Sequence, residues 1–252
     1  MKIYPTVVFS FLFVAQMAAQ QIDTIHIDQQ DLLTQNLKAA KSQYLVSVHS
    51  TDPARIRNLF LWTRELSLET RQGKEVIVIK QDWQGQDTLF NRSIYSVSEK
   101  ATFKPIYHYA KSPRGIEAYN FEAGRIIGAD SVANNTRKGW QIPLSEPTLN
   151  WELDLEILAL LPFKEGKTFA INFYHPGSKG GPQYYLYKVV GSEILDLAGG
   201  QRVDTWKLQI DYGQYSSTAT FWVSKKTREV LKSLDLFKGG YRYKVKLVNA
   251  VE

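Results

Sequence analysis

The chain has 252 residues, of which 44% are hydrophobic, 13% aromatic and 22% charged, with a formal net charge of +6 and no cysteine. That length and balance suit one large or two small folded domains and exclude a wholly disordered chain. The missing cysteine excludes disulfide frameworks, thiolate zinc sites, iron–sulfur clusters, cysteine nucleophiles and a lipid-bearing cysteine anchor.

Residues 1–20 begin with a basic Lys2, continue through the apolar run Val7 to Ala15 and end in small residues around Ala18-Ala19. This is the pattern of a secretory signal. The run is too short for a spanning helix, which needs about 20 apolar residues. The expected organisation is a signal peptide over 1–20 and a single β-rich domain over 21–252. The mature protein is expected in the periplasm, with no transmembrane span.

Beyond the leader the hydrophobic period is two, the mark of half-buried strands. Strands are predicted near 43–49, 55–70, 74–83, 87–99, 102–111, 115–122, 125–132, 168–175, 183–195, 202–212, 217–224, 228–236 and 240–250. In the last of these, Tyr241, Tyr243, Val245 and Leu247 share one face while Arg242, Lys244 and Lys246 share the other. Turn signals such as Gln84-Gly85-Gln86, Gly199-Gly200 and Gly239-Gly240 separate the strands. Short connections make neighbours antiparallel. The predicted fold class is mainly β, a curved antiparallel meander sheet forming a half-barrel or open barrel, with one short helix packed in its concavity.

That helix is expected over Asn150 to Leu161, capped by Asn150 and stopped at Pro162. Leu153, Ile157 and Leu160 or Leu161 share a face. Leu153, Leu155 and Ile157 also alternate, so a strand is the competing reading. Glu152 and Glu156 lie on one helix face, like the paired carboxylates of glycoside hydrolysis. Solvated acids at a helix start are the preferred explanation.

The charge is unevenly placed. Residues 201–252 hold 10 basic against 5 acidic side chains, whereas residues 21–200 balance at 20 each. A surface meeting anionic lipid or acidic polymer is one reading; solvated strand faces guarded by lysines is the favoured one. Nucleic acid is not an expected partner, since no helical basic stripe or RNA-binding aromatic motif occurs. No catalytic signature is present, and His26, His49, His108 and His175 are not at metal-ligand spacing, so no metal or cofactor is expected. The chain is read as a non-enzyme.

Rings with polar edges can line a cavity for an acyl chain or stack on sugars, but for most of them a β-protein core is the favoured reading. Arg64 interrupts the inward face Phe60, Trp62, Leu66, Leu68. A charge there is paired to a carboxylate, awaits an anionic ligand, or is turned to water by a bulge. The candidate ligand-binding residues are Arg64, Trp62, Tyr107, Tyr109, Tyr119, Trp151, Leu155 and Trp206.

The stretches NWELDLEILALLPFKEG (150–166), VDTWKLQIDYG (203–213) and ATFWVSKKTREVLK (219–232) resemble an uncharacterised family of exported bacterial β-rich proteins, a domain of unknown function. The leader and the absence of cysteine resemble its members from Bacteroidota-type bacteria. In architecture such proteins look similar to the lipoprotein-localisation carriers of the Gram-negative envelope, open half-barrels whose helix plugs an apolar concavity. The resemblance implies a fold and no catalytic residue. The expected function is non-catalytic binding of a hydrophobic or lipidic envelope component in the concavity. The alternative is a structural module with a filled core and an envelope protein as partner; a carbohydrate-active enzyme using Glu152 and Glu156 ranks third.

Overall fold

A computed structural model describes residues 22–52, 55–197, 200–213 and 217–247. The leader-like segment 1–20 lies outside them, as do Gly199 and residues 248–250 of the last expected strand. A short strand, β1 (Ile22–Ile25), comes first. A meander follows through β2 (Ala40–Ser50), β3 (Ile56–Arg71), β4 (Lys74–Gly85), β5 (Arg92–Glu99), β6 (Pro105–Ser112), β7 (Gly115–Glu122), β8 (Arg125–Gly128) and β9 (Gln141–Pro143). Then β10 (Leu149–Asn150) leads into a 3-10 turn over Trp151–Leu153, continued by the helix α1 (Asp154–Ala159). A second meander consists of β11 (Thr168–Tyr174), β12 (Gln183–Asp196), β13 (Arg202–Asp211), β14 (Thr218–Ser224), β15 (Val230–Phe237) and β16 (Gly240–Lys246).

All sixteen strands among the described residues join in one sheet, because β16 pairs antiparallel with β2 and stitches the second meander to the first. The predicted curved meander and its short helix are both present, with strand ends moved by a few residues. Three short strands, β1, β9 and β10, add to the thirteen expected; two to four residues are too few to register a period. Two of them break the antiparallel rule. β1 runs parallel to β11 along Thr168–Ile171, and β10 does so at Phe173–Tyr174, so together they cover an otherwise open edge. An ion pair of Lys167 with Asp23 (2.5 Å) fastens β1 there.

Bulges bend the sheet at Val48/His49, Val97/Ser98, Val189/Gly191 and Trp222/Val223. Gly191 sits at φ 137°, a conformation a side chain would strain. The curl brings β7 round to the end of β11, where Tyr119 and Phe121 meet Tyr174 at 6.5 and 6.3 Å between ring centroids. Arg137 Nη2 also donates to the Gly177 carbonyl (3.1 Å).

The helical segment fills the middle of this curl. Asn150 caps it, accepting from Glu152 N–H (3.0 Å). At the other end Leu33 N–H donates to Leu160 O (2.9 Å) and Arg228 Nη1 to Leu161 O (2.9 Å), satisfying carbonyls the short helix cannot pair itself. Leu153, Leu155, Ile157, Leu158, Leu160 and Leu161 are all buried against the inward faces of both meanders.

Candidate functional site

Alternation along β3 points Phe60, Trp62, Arg64 and Leu66 inward, and the register carries that face across Gln81 on β4, Arg92 and Ser96 on β5 and His108 on β6. These polar side chains converge on the helical segment. Arg64 is buried and pairs with Glu156, its Nε donating to Oε1 (2.9 Å) and its Nη2 to Oε2. Arg64 Nη2 (3.1 Å) and Gln81 Nε2 (2.8 Å) both donate to the Glu152 carbonyl. Arg92 Nη2 reaches both Glu152 carboxylate oxygens at 2.7 Å. His108 Nδ1 meets Ser96 Oγ (2.9 Å) and Asn150 Nδ2 (3.2 Å).

This corrects the expectation that Glu152 and Glu156 are solvated acids: they are half-buried and fastened to cations of the sheet. It also decides among the readings of Arg64, whose partner is Glu156. Burial pushes the Glu152 carboxyl up, but Arg92, His108 and Arg64 together outweigh it and hold the group below the usual carboxylate range. Burial pulls His108 down to about 4, so its ring is neutral near pH 7.

A second correction concerns the last strand. Lys244 pairs with Val46 on β2 and Ser233 on β15, both buried, so the basic face of β16 is the inward one. Arg242 joins Asp235 (2.6 Å), Lys246 joins Glu229, and Lys244 is 7% exposed with its Nζ 4.9 Å above the Trp62 ring. Tyr241, Tyr243 and Val245 take the outer face instead, where Tyr241 stacks on His49 at 4.6 Å. Their expected solvated-lysine partners are therefore inside. Burial lowers the Lys244 ammonium, countered by the nearby Asp154.

Among the described residues, two cavities flank the helical segment toward opposite ends of β2. One, about 560 Å³, lies at the start of β2 and the β14–β15 turn, over Leu66, Leu155, Ala159, Leu160 and Val230. Five cations (Lys38, Arg64, Lys226, Arg228, Lys246) and two carboxylates (Glu156, Glu229) border it. Arg64 Nη1 there is buried without a hydrogen-bond partner. The other, about 700 Å³, lies at the end of β2 and the start of β16, bordered by Trp151, His175, Tyr185, Tyr212, Asp235 and Arg242 among others.

Of the candidate ligand residues, Arg64 and Leu155 border the smaller cavity and Trp151 the larger. Trp62 and Tyr119 are buried in packed clusters, Trp62 donating from Nε1 to Gln81 Oε1 (3.1 Å). Trp206 stacks on Phe163 at 6.1 Å, beside the chain leaving the helix. Tyr107 and Tyr109 flank the inward His108 in sequence and so lie on the convex face, where Tyr107 packs over Val76, Val78 and Val97. They do not reach the concavity. The residues missed are Tyr44, Tyr185, Tyr212, His175 and the β16 cations. Tyr185 and Tyr212 were legible as members of inward period-two faces; the orientation of β16 was not, since both its faces alternate equally well.

Among the described residues no helix is long and apolar enough to cross a membrane, and no three His, Asp or Glu side chains cluster to hold a metal. Nothing in the site indicates catalysis. A family model described as a protein of unknown function (DUF3108) matches residues 43–246. No curated protein matches the chain. Among solved structures, a β-barrel-like protein of domain of unknown function DUF1849 from Brucella abortus is similar over 86% of this chain and 99% of its own, with 8% identity and a TM-score of 0.53. That likeness is one of fold. A DUF1329 family protein from Desulfovibrio piger ATCC 29098 aligns over 88% and 87% of the two chains, with 12% identity and a TM-score of 0.32.

Proposed function

The chain belongs to the DUF3108 family of proteins of unknown function, and from its interior we propose a non-catalytic binding protein that holds an anionic amphiphile beside the helical plug. The observation carrying this is the cavity of about 560 Å³, whose floor is aliphatic and whose border has five cations to two carboxylates. Its volume falls within the range of about 300–1,000 Å³ typical of small-molecule sites. Aliphatic burial at roughly 25 cal/mol per Å² would hold the chain of the ligand. The cations would hold its head group. The leader-like first twenty residues support export, and the proposed setting is the periplasm of a Bacteroidota-type bacterium, with residues 21–252 as one domain.

A second reading, an envelope scaffold without ligand, draws on the filled centre: Leu153, Ile157, Leu158 and Leu161 are at most 1% exposed. Native mass spectrometry of protein purified from its own host separates the two. The carrier reading expects a bound single-chain anionic lipid, displacement of a fluorescent fatty-acid probe, and loss of both in Ala159→Trp, which fills the cavity. A protein that arrives empty, with probe binding at background, leaves the scaffold.

A further inference from the structure

The larger cavity has a different chemistry from the one assigned to the amphiphile. Its rings form a connected set: Trp151 stacks on His175 (4.0 Å between centroids, 25° between planes) and meets Tyr185 at 4.6 Å and Tyr212 at 6.1 Å. Tyr185 and Tyr212 stand steeply to each other (6.2 Å, 71°). All four are half-buried, with ring surface left at the cavity. The near-parallel Trp151–His175 pair is a face-to-face stack, which leaves only outer ring surface for a ligand, and the tyrosines stand steeply beside it.

The ion pair of Arg242 with Asp235 borders the same cavity. Among the described residues Arg242 donates through Nε to Asp235 Oδ2 alone, which leaves further guanidinium N–H donors beside a carboxylate acceptor. One cation and one carboxylate give this border no net charge, in contrast to the excess of three cations at the other end. Burial holds His175 below its ordinary range, so it adds no charge near pH 7. Gly180 and Gly181 keep the rim narrow in side chains.

A neutral, flat molecule with an apolar face and paired hydroxyls at its edge suits this arrangement. We propose that the larger cavity is a carbohydrate-binding site for a β-linked, all-equatorial disaccharide. The C–H face of one pyranose would lie on an outer ring face of the Trp151–His175 stack, as apolar faces do on aromatic rings. Vicinal hydroxyls would accept from Arg242 and donate to Asp235, the bidentate geometry a planar fork favours. An acyl chain would leave the remaining Arg242 N–H donors and the second Asp235 oxygen without partners in a dried site, which costs binding. The volume of about 700 Å³ leaves space for a second sugar ring. The site is separate from the amphiphile cavity and does not depend on it.

Titrating the full chain with cellobiose and N,N′-diacetylchitobiose, followed by tryptophan fluorescence and by saturation-transfer NMR, tests this. Saturable binding is expected, with sugar C–H protons receiving saturation. Asp235→Asn and Tyr212→Ala should each weaken it by about tenfold or more, while Ala159→Trp leaves it unchanged. Tyr212→Phe, which keeps the ring and so the fold, should retain most of the affinity. No saturable binding of either disaccharide overturns the proposal. So does binding that survives both Asp235→Asn and Tyr212→Ala, or that maltose matches, its bent α-linkage being unable to lie flat.

Discussion

The two walls that enclose the plug hold it by different means. The second meander offers mainly aliphatic and aromatic surface, with Phe169, Ile171, Tyr187, Leu208, Ile210, Phe221 and Val230 in the shared core. Among the described residues it adds a charged hydrogen bond only at the far end of the plug, from Arg228 to the Leu161 carbonyl. The first meander adds hooks, with Arg64, Gln81, Arg92 and His108 each bonded to a named atom of the segment 150–156. Apolar contact is strong and non-directional, so a helix can slide or turn on it with little loss. Hydrogen-bonded ion pairs are directional and costly when unmade. One wall therefore supplies most of the stability, while the other fixes where the plug sits, and with it the separation of the two cavities.

Breaking a hook gives the largest expected effect. Glu156→Leu leaves Arg64 charged and buried without its partner, a loss of about 3–5 kcal/mol. The double change Arg64→Met with Glu156→Leu removes both charges, and much of that loss should return. Gln81 still donates to the Glu152 carbonyl in the double variant, so no acceptor is orphaned. Urea unfolding of the two variants measures the difference. If the single and double variants were equally unstable, the pair would be no positional device.

On the apolar wall, Leu208→Ala should cost about 2–5 kcal/mol, the range for truncating a buried leucine. The comparison predicts a further difference of kind. Leu208→Ala should leave the environment of Trp151 as it is, whereas the stable double variant should shift it. The fluorescence of Trp151, taken as the difference between each variant and the same variant carrying Trp151→Phe, reads that directly.

The apolar wall was the legible one. Period-two runs such as Trp206, Leu208, Ile210, Tyr212 mark strands and their inward faces without further information. Asn150 as a cap and the helix ending before Pro162 were legible for the same reason: they are local. The hooks were not. Arg64 announced itself as a charge on an apolar face, but its partner Glu156 lies 92 residues away, and nothing in either neighbourhood names the other. The inward turn of Arg242, Lys244 and Lys246 fails similarly, because alternation defines two faces and only the pairing with Val46 and Ser233 says which is inside. Tyr107 and Tyr109 were misplaced by treating aromatic density as cavity lining, when the strand had already given its inward position to His108.

Acidification should act through the hooks as well. Unfolded, His108 takes a proton below its ordinary value of 6.5; folded, it resists until about 4. The unfolded state thus binds more protons between those values, and stability falls as pH drops through that window, at up to about 1.4 kcal/mol per pH unit. Glu152, held below its ordinary 4.5 in the fold, takes over the loss at lower pH, since its protonation dissolves the bond to Arg92. His108→Gln should flatten the stability curve between pH 6.5 and 4 and leave the steeper fall beneath. Chemical denaturation across that range checks it; an unchanged slope in the variant would assign the acid loss elsewhere.

The smallest effect expected is also the most discriminating, because Asn150 belongs to both systems. Its Oδ1 caps the helical segment at Glu152 N–H, and its Nδ2 faces His108 Nδ1, which as a neutral ring can accept from it. Asn150→Ala removes cap and hook together, for about 1 kcal/mol at neutral pH. Asn150→Asp keeps the cap acceptor but replaces the donor with a carboxylate, which favours the protonated ring. That variant should be closer to the native protein at neutral pH than Asn150→Ala, and should lose less stability on acidification than either. If the two substitutions behaved alike at every pH, Asn150 would be a cap alone, and His108 would have no grip on the plug through it.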